Sequence, residues 1–414
     1  MKKYVGYECS VCGERYQPGE VTYTCPEDDG ILDVLLDYET LTEKTLEELI
    51  CFPEESLWRY LTLLPVEEAI GLGTPLQAAG WTPTYSPPRL ASELGLKQLW
   101  VKDESSNPTA SFKDRASALL VARAREIGAE VIVTASTGNA GAALAGMAAA
   151  VGHQSVIFAP KTAPPAKIAQ LQIYGARVIL VDDNYDAAYQ LSLEATQEFG
   201  WYNRNTGYNP FTAEGKKTAA LEIWEQVLMK YPLEKPLCVF VSVGDGNIIS
   251  GIHKGFKDLY AIGQIEHMPR IFGCQSTGSA AIANAYHAGT EEIKPVAADT
   301  LADSISVNLP SDGLRALRAA TQTDGAYVRI EDEQILQAVA DLGKVGIFSE
   351  PAGSASYAGL KKALEEGLVN ADDPVLVLNT GSGLKDVKAA MQAAGNAPVI
   401  KPTLEEVKKL IRQE

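Results

Sequence analysis

Residues 101–115, VKDESSNPTASFKDR, decide the fold. The stretch opens as a strand, Asn107-Pro108 is a turn former, and the residues from Asp114 to Ala124 have helical periodicity. Lys113 is therefore expected at a strand-to-helix junction, where the first N–H groups of a helix are unpaired. Partial burial there would lower the pKa of the amine and leave it a nucleophile able to form a Schiff base. The alternative for Lys113 alone is a solvated lysine that opens a helix.

Length and composition indicate a globular protein of two domains. The chain has 414 residues, of which 46% are hydrophobic and 21% are charged. A net charge of −17 without a long basic run argues against nucleic acid or an anionic membrane as partner. The longest uncharged run of small apolar residues, 140–152, is too short to cross a bilayer. Glu8 and Cys9 lie where a signal peptide would need an apolar core, so we expect a cytoplasmic protein.

Short apolar strand patterns alternate with helical patterns over most of the chain. Such alternation predicts parallel sheets that are covered by helices on both faces. Residues 43–64 are also predicted to be helical, with Trp58 and Tyr60 as packing anchors. The predicted strands are 99–102, 130–134, 155–158, 177–181, 237–243, 270–274, 327–330 and 375–378.

The N-terminal cysteines suggest a metal knuckle that is incomplete. Cys9-x-x-Cys12 is similar to half of a zinc ribbon, and Cys25 could supply a third thiolate. A second C-x-x-C is missing, because Cys25 is followed by Pro26-Glu27-Asp28, and a structural zinc site normally has four N or S ligands. Two alternatives stay open, a bound zinc ion or a knuckle that keeps its turn without metal. The missing ligand favours the second, so we expect no stoichiometric metal.

Three further loops follow strands and precede helical or turn segments. The hydroxyl and amide groups of Ser136, Thr137 and Asn139 suit a carboxylate, although an ordinary capped helix start has the same pattern. Gly244 and Gly246 can curl the backbone around a phosphate, but a lone Gly-x-Gly is a weak signal. Asp245 is unfavourable there unless its side chain points away, and a side chain at Gly246 is expected to crowd the phosphate. With Lys113 and the loop after Thr380, these are the four contacts that pyridoxal phosphate needs.

Residues 107–115 resemble the N-P-T-G-S-F-K-D-R lysine motif of the fold-type II (tryptophan synthase β-like) pyridoxal-phosphate enzymes, and of the threonine synthase family in particular. Residues 136–139, 209–218, 350–353 and 380–386 also match, and the cysteine knuckle occurs in many members. The resemblance covers roughly residues 80–386. It implies an α/β fold with two open parallel-sheet domains and the cofactor in the cleft between them. We expect a knuckle-like extension at 1–60, a large domain at 61–102 and 207–414, and a small α/β domain at 103–206.

The resemblance also implies a role for each matching residue. Lys113 would hold the cofactor as a Schiff base and carry protons, Phe112 would pack near the ring, and Thr380 would face the ring nitrogen. Ser136, Thr137 and Asn139 would bind the substrate carboxylate, with Asn139 also bonding the 3′ oxygen of the cofactor. The residues implied around the cofactor phosphate are Gly244, Asp245, Gly246, Asn247 and Ile248.

The chain departs from the family pattern at three positions. Ala110 replaces the usual glycine, and Thr212 and Ser306 replace arginines, of which the one at 212 is thought to hold a substrate phosphate. Lys216 or Lys217, or Arg204 upstream, could be the replacement cation.

The function that the resemblance implies is conversion of O-phosphohomoserine and water to threonine and phosphate. The alternatives are a β-eliminating threonine or serine dehydratase or diaminoacid lyase, and a non-catalytic cofactor-binding relative. We expect a small amino-acid substrate, and a homodimer is compatible with the sequence.

Overall fold

The computed structural model describes residues 4–412, which form three β-sheets and their covering helices. The strands are β1 Tyr4–Cys9, β2 Arg15–Tyr16, β3 Leu32–Leu36, β4 Thr84–Tyr85, β5 Leu99–Asp103, β6 Val131–Ala135, β7 Gln154–Pro160, β8 Arg177–Val181, β9 Tyr202–Asn203, β10 Cys238–Ser242, β11 Arg270–Ser276, β12 Tyr327–Ile330 and β13 Val375–Asn379. The helices are α1 Tyr38–Thr42, α2 Leu46–Leu49, α3 Pro88–Leu94, α4 Lys113–Glu126, α5 Asn139–Ala150, α6 Pro165–Ile173, α7 Tyr185–Phe199, α8 Phe211–Lys216, α9 Thr218–Ile223, α10 Asn247–Ala261, α11 Ala281–Ala288, α12 Gly313–Thr321, α13 Asp332–Gly343, α14 Pro351–Glu365, α15 Val387–Ala394 and α16 Leu404–Ile411.

The large sheet has the strand order β12-β11-β10-β13-β5-β4 and is parallel except for the edge strand β4. Alternate residues of a strand point to opposite faces. Val239 and Val241 of β10 belong to one core cluster, whereas Cys238 and Phe240 belong to another. Both faces of this sheet are therefore covered, as the continuous apolar strands predicted.

The small sheet has the order β8-β7-β6-β9 and is parallel throughout. Val133 packs in one cluster with residues of α7, and Ile157 packs in another with residues of α5 and α6. The fold is thus α/β with two open parallel sheets, as expected. All eight predicted strands are present, each within two residues of its predicted bounds.

The predicted helix at 43–64 is wrong as one element. The helical elements within residues 43–64 are α2 and a 3₁₀ segment, Leu57–Leu63. The Arg59 guanidinium donates hydrogen bonds to the carbonyl oxygens of Cys51, Phe52 and Glu54, which hold the chain in a turn around Pro53. Trp58 and Tyr60 are buried, as predicted. In residues 4–412, no helix is both long and apolar enough to span a membrane.

The N-terminal sheet is antiparallel, with the order β2-β1-β3, and it carries the cysteine knuckle. The sulfur atoms of Cys9, Cys12 and Cys25 and a carboxylate oxygen of Asp28 all lie within 4.8 Å of one another. Among residues 4–412, this cluster has no fourth nitrogen or sulfur ligand, as expected, but the Asp28 carboxylate lies where a fourth ligand could bind. This sheet contacts α12 through Arg315, whose guanidinium lies 2.6 Å from Asp33.

Candidate active site

The four loops singled out in the sequence meet at one cleft between the large and small sheets. Each follows the carboxyl end of a parallel strand, and ligands of open α/β sheets bind at that edge. The cleft has a volume of about 1150 Å³. It is lined by Lys113, Ser136, Thr137, Asn139, Gly244, Asp245, Gly246, Asn247, Ile248 and Thr380, among others.

The residues around Lys113 fix its position. The Asp114 carboxylate accepts hydrogen bonds from the backbone N–H and the hydroxyl of Thr109, which closes the loop onto the start of α4. Arg115 is fully buried and bonds the carboxylates of both Glu104 and Glu222. Buried bidentate pairs of this kind fix orientation. The motif thus clamps Lys113 on both sides at the first turn of α4.

The Lys113 amine is free to act as a nucleophile. In residues 4–412 its Nζ forms no hydrogen bond or ion pair. Burial lowers the pKa of Lys113, and the opposing attraction of Glu350 is a smaller effect. A lowered pKa leaves more of the unprotonated amine at neutral pH, which Schiff-base formation needs.

Phe112 does not line the cleft, so its predicted packing against the cofactor ring is corrected. Its side chain is fully buried in the large core cluster, 5.7 Å from the Arg115 guanidinium. Its backbone N–H donates to the Thr380 carbonyl oxygen at 2.9 Å. Phe112 therefore ties the Lys113 loop to the Thr380 loop through its backbone, while its side chain packs in the core.

The loop at 244–248 forms a cup at the N-terminus of α10. Gly246 caps that helix with φ +94°, a conformation that favours glycine. A Cβ at Gly246 would lie 2.5 Å from the Asp312 carbonyl oxygen and 2.7 Å from the Ala316 Cβ. A side chain there would thus strike the neighbouring helix α12, which corrects the expectation that it would crowd a phosphate.

Polar side chains support this cup from behind. Asn247 donates through Nδ2 to Asp312 at 2.6 Å and accepts through Oδ1 from the Lys216 ammonium at 2.7 Å. Asp245 accepts from the Ser311 hydroxyl at 3.2 Å, and burial raises its pKa. The Ser242 hydroxyl, at the end of β10, is buried and has no partner within residues 4–412.

Glu350 lines a small pocket that adjoins the cleft and shares Asn139 with it, and sequence reasoning missed this residue. Its carboxylate accepts a hydrogen bond from Asn139 Nδ2 at 2.8 Å, and burial raises its pKa to about 7. The resemblance at 350–353 implies no role for this glutamate. Tyr185 and Tyr189, at the start of α7, also line the cleft. Their position after β8, in the same strand-to-helix arrangement as the other loops, could have revealed them.

Lys216 and Lys217, the two candidate substrate ligands, lie in different surroundings. Lys216 lines the cleft, whereas Lys217 does not. The Lys217 ammonium is buried between Glu214 and Asp258, at 2.5 and 2.8 Å from their carboxylates. The prediction of Lys217 as a substrate ligand is therefore corrected, because Lys217 does not line the cleft and already has two carboxylate partners.

The structure also shows where Thr212 and Ser306, which differ from the family pattern, and the candidate cation Arg204 lie. Thr212 is buried, donates to the Asn209 carbonyl oxygen at 2.7 Å and does not line the cleft, whereas Ser306 does. Arg204 lines the cleft and is almost fully buried. It donates to the hydroxyls of Ser117 and Thr206, while its Nη2 has no partner in residues 4–412.

These donors fit pyridoxal phosphate. The cofactor needs an unpaired amine, a phosphate cup at a helix N-terminus and a polar partner for its ring nitrogen. Lys113, the cup at 244–248 with the orphaned Ser242 hydroxyl, and buried Thr380 supply these groups in one cleft.

Comparisons with known proteins agree with this fit. The sequence model of the family described as "Pyridoxal-phosphate dependent enzyme" matches residues 75–381. The threonine synthase of Methanocaldococcus jannaschii is 38% identical over 408 residues, which cover 98% of this chain and 99% of the relative. The threonine synthase of Methanosarcina acetivorans is 35% identical over 407 residues, with 98% of each chain covered.

Solved structures with less than 25% identity show the fold alone. The processed form of threonine deaminase isoform 2 from Solanum lycopersicum superposes with a TM-score of 0.66 at 23% identity, covering 85% of this chain and 88% of that one. Maize serine racemase superposes with a TM-score of 0.64 at 22% identity, covering 80% and 93%. The lysine motif, the cleft and the full-length sequence matches together show that the chain belongs to the threonine synthase family of the pyridoxal-phosphate dependent enzymes.

Proposed function

We propose that this enzyme converts O-phosphohomoserine and water to threonine and inorganic phosphate. The observation that carries the proposal is a pair of buried basic side chains, Arg204 and Lys216, that line the cleft without a carboxylate partner in residues 4–412. An unpaired buried charge is very costly, so the charged Arg204 guanidinium calls for an anion, which the Lys216 amine beside it could also bind. A phosphate on the substrate supplies that anion.

Arg204 is suited to a phosphate by its donors. Its Nη2 is buried and unpartnered, and its other donors meet only neutral hydroxyls. Burial lowers its pKa to about 10, so the guanidinium stays charged at neutral pH. A planar guanidinium can donate to two phosphate oxygens at once. Arg204 therefore replaces the arginine that the family pattern has at position 212.

Lys216 supplies the second charge. Burial, with repulsion from Lys113 and Arg204, holds the pKa of Lys216 well below its usual range. The attraction of a bound phosphate dianion would outweigh that repulsion and favour the ammonium form of Lys216. We assign Lys216 to the substrate phosphate, with Asn247 orienting its ammonium through the 2.7 Å hydrogen bond.

Lys113 is the proposed catalytic residue. When bound, pyridoxal phosphate supplies an aldehyde for amine exchange and a ring that accepts electron density from the substrate. The Lys113 amine, freed by that exchange and with a pKa lowered by burial, takes a proton from the substrate Cα and returns protons later in the reaction. Its place in the first turn of α4, clamped by Asp114 and Arg115, fixes the position from which the amine would exchange these protons.

The loop at 136–139 is the proposed carboxylate site. It lies at the N-terminus of α5, where unpaired N–H groups favour an anion. The Ser136 and Thr137 hydroxyls are further donors. Asn139 is held by Glu350, and the second Nδ2–H of its amide would donate to the 3′ oxygen of the cofactor.

Turnover of the purified holoenzyme tests this function. With O-phosphohomoserine as substrate, phosphate and threonine are expected in equal amounts. If the enzyme releases no phosphate and instead converts threonine or serine to an oxo acid, it is a dehydratase. If it binds the cofactor and turns over none of these compounds, the non-catalytic alternative holds. The cytoplasmic location, the homodimer and the domain bounds stay predictions from the sequence.

A further inference from the structure

We propose that the N-terminal knuckle is a complete zinc site, with Cys9, Cys12, Cys25 and Asp28 as its four ligands. These residues lie outside the cofactor cleft, and the reaction does not use them. Three thiolates with one carboxylate oxygen form a donor set that Zn²⁺ accepts in tetrahedral geometry.

Two turns of the same geometry hold the ligands. In the first, Cys9 and Cys12 are three residues apart, the Gly13 N–H donates to the Cys9 carbonyl oxygen at 3.0 Å, and Gly13 has φ +77°. In the second, Cys25 and Asp28 have the same spacing, the Asp29 N–H donates to the Cys25 carbonyl oxygen at 2.9 Å, and Asp29 has φ +55°. The segment 25–28 is therefore a C-x-x-C turn in which aspartate occupies the last ligand position.

Two of the six ligand pairs have the separations of a tetrahedral site, and all six lie within 4.8 Å. Zn–S bonds of about 2.3 Å and Zn–O bonds of about 2.0 Å place two sulfurs about 3.8 Å apart and a sulfur and an oxygen about 3.5 Å apart. The Cys12 and Cys25 sulfurs are 3.8 Å apart, and the Cys9 sulfur lies 3.3 and 3.6 Å from the two Asp28 oxygens. The first distance is also far longer than a disulfide bond.

The surroundings orient the ligands. The Val11 N–H donates to the Cys9 sulfur at 3.3 Å, and the Gly30 N–H donates to Asp28 Oδ1 at 2.8 Å. A Cβ at Gly30 would lie 2.6 Å from the Cys9 sulfur and 2.7 Å from Asp28 Oδ1. Glycine at position 30 thus leaves space for the site, and backbone donors orient both ligands as partners outside the coordination shell do in metal sites.

A bound metal would stabilise the contacts that hold α12, the helix behind the loop at 244–248. Arg318 of α12 donates to the carbonyl oxygen of Ser10, between the first two ligands, at 2.5 Å. Arg315, on the same helix, joins Asp33 of β3 to Asp312, which in turn holds Asn247 of the cup. The knuckle therefore anchors α12, and α12 supports the residues behind the proposed phosphate site.

Metal content of the full-length holoenzyme, purified without added metal and desalted, tests the site. Elemental analysis is expected to give about one zinc per chain. Cys12→Ser should lower the zinc content at least tenfold, whereas Cys51→Ser, an exposed cysteine outside the cluster, should leave it unchanged. Asp28→Cys should keep the zinc and release it more slowly to a chelator, because a thiolate replaces the carboxylate.

Cobalt substitution of the unmutated protein serves as a second measurement in case Cys12→Ser fails to fold. Thiolate-to-cobalt charge-transfer absorption at one Co²⁺ per chain would support the site. The proposal is overturned if the unmutated protein, incubated with zinc and desalted, keeps less than about a tenth of an equivalent. Unchanged zinc content in a folded Cys12→Ser variant, or a disulfide between Cys12 and Cys25 in freshly purified protein, would also overturn it.

Discussion

The side-chain amide of Asn139 lies 2.8 Å from the Glu350 carboxylate, and this hydrogen bond joins the start of α5 to the start of α14 across the cleft. Burial raises the pKa of Glu350 to about 7, against the attraction of Lys113. A carboxyl group with this pKa changes its charge near neutral pH, beside the proposed catalytic lysine.

Glu350→Gln is expected to remove a pH dependence of stability from the cofactor-free protein. The folded-state pKa is raised from 4.5 to about 7, so the folded state binds the proton more tightly than the unfolded state. Stability is therefore lost as pH rises through this window, by about 2 kcal/mol between about pH 5 and pH 8. Denaturant unfolding at both pH values measures the loss, and Glu365→Gln, an exposed position in α14, is the control. Equal pH dependence in the Glu350→Gln variant and the unmutated protein would refute the shift.

Ala110→Gly is expected to stabilise the protein by about 1 kcal/mol. In the left-handed backbone conformation the alanine Cβ crowds the following carbonyl oxygen, and glycine has no Cβ. Ala110 has φ +62°, so the chain keeps the backbone of the family's glycine without having the glycine. Ala163→Gly, in a turn where φ is not positive, is the control and should be neutral or destabilising. The thermal unfolding midpoints of both variants, compared with that of the unmutated protein, test this prediction. A lower midpoint for Ala110→Gly would show that the backbone at Ala110 is not strained.

Lys216→Met and Lys217→Met are expected to differ although the residues are adjacent. Lys217 neutralises Glu214 and Asp258 in a buried cluster, so its loss should cost about 3 kcal/mol of unfolding free energy or more. Lys216 has no acidic partner, so Lys216→Met should leave stability nearly unchanged and raise the KM for O-phosphohomoserine. The reverse pattern, a stable Lys217→Met enzyme with a raised KM, would restore Lys217 as the substrate ligand.

Lys113→Ala is expected to abolish turnover and remove the lysine-bound chromophore. Borohydride reduction of the unmutated holoenzyme followed by peptide mapping should place the label on Lys113. A label on Lys216, which lies in the same cleft, would show that the wrong lysine has been assigned.

The strand-loop-helix pattern could be predicted from the sequence because each element is local. The apolar strands before Lys113, Ser136 and Gly244 have clear boundaries, and parallel strands bring their carboxyl ends to one edge. The cleft and most of its lining residues follow from that rule. The strand, the Asn107-Pro108 turn and the helical periodicity from Asp114 together predict Lys113 at the start of a helix, and α4 begins there.

Side-chain direction could not be predicted in the same way. Adjacent helical residues point about 100° apart, and spacing along the chain does not reveal which of Lys216 and Lys217 faces the cleft. Phe112 was misplaced for the same reason. Asp28 was overlooked because carboxylates are too common near cysteines for sequence spacing alone to select one. Only the paired turns at 9–13 and 25–29 reveal it.

The central claim is that the cleft binds a phosphorylated amino acid through Arg204, and the KM of an Arg204→Gln variant tests it most directly. A charge-assisted hydrogen bond contributes about 1.5–3 kcal/mol, so the KM for O-phosphohomoserine should rise about 10- to 100-fold. Arg204→Lys should recover part of the loss, and Arg125→Gln, an exposed arginine of α4, should behave as the unmutated enzyme. The dissociation constant of pyridoxal phosphate, measured in the same variant, should stay unchanged. An unchanged KM together with weakened cofactor binding would contradict the claim, because Arg204 would then serve the cofactor phosphate instead of the substrate.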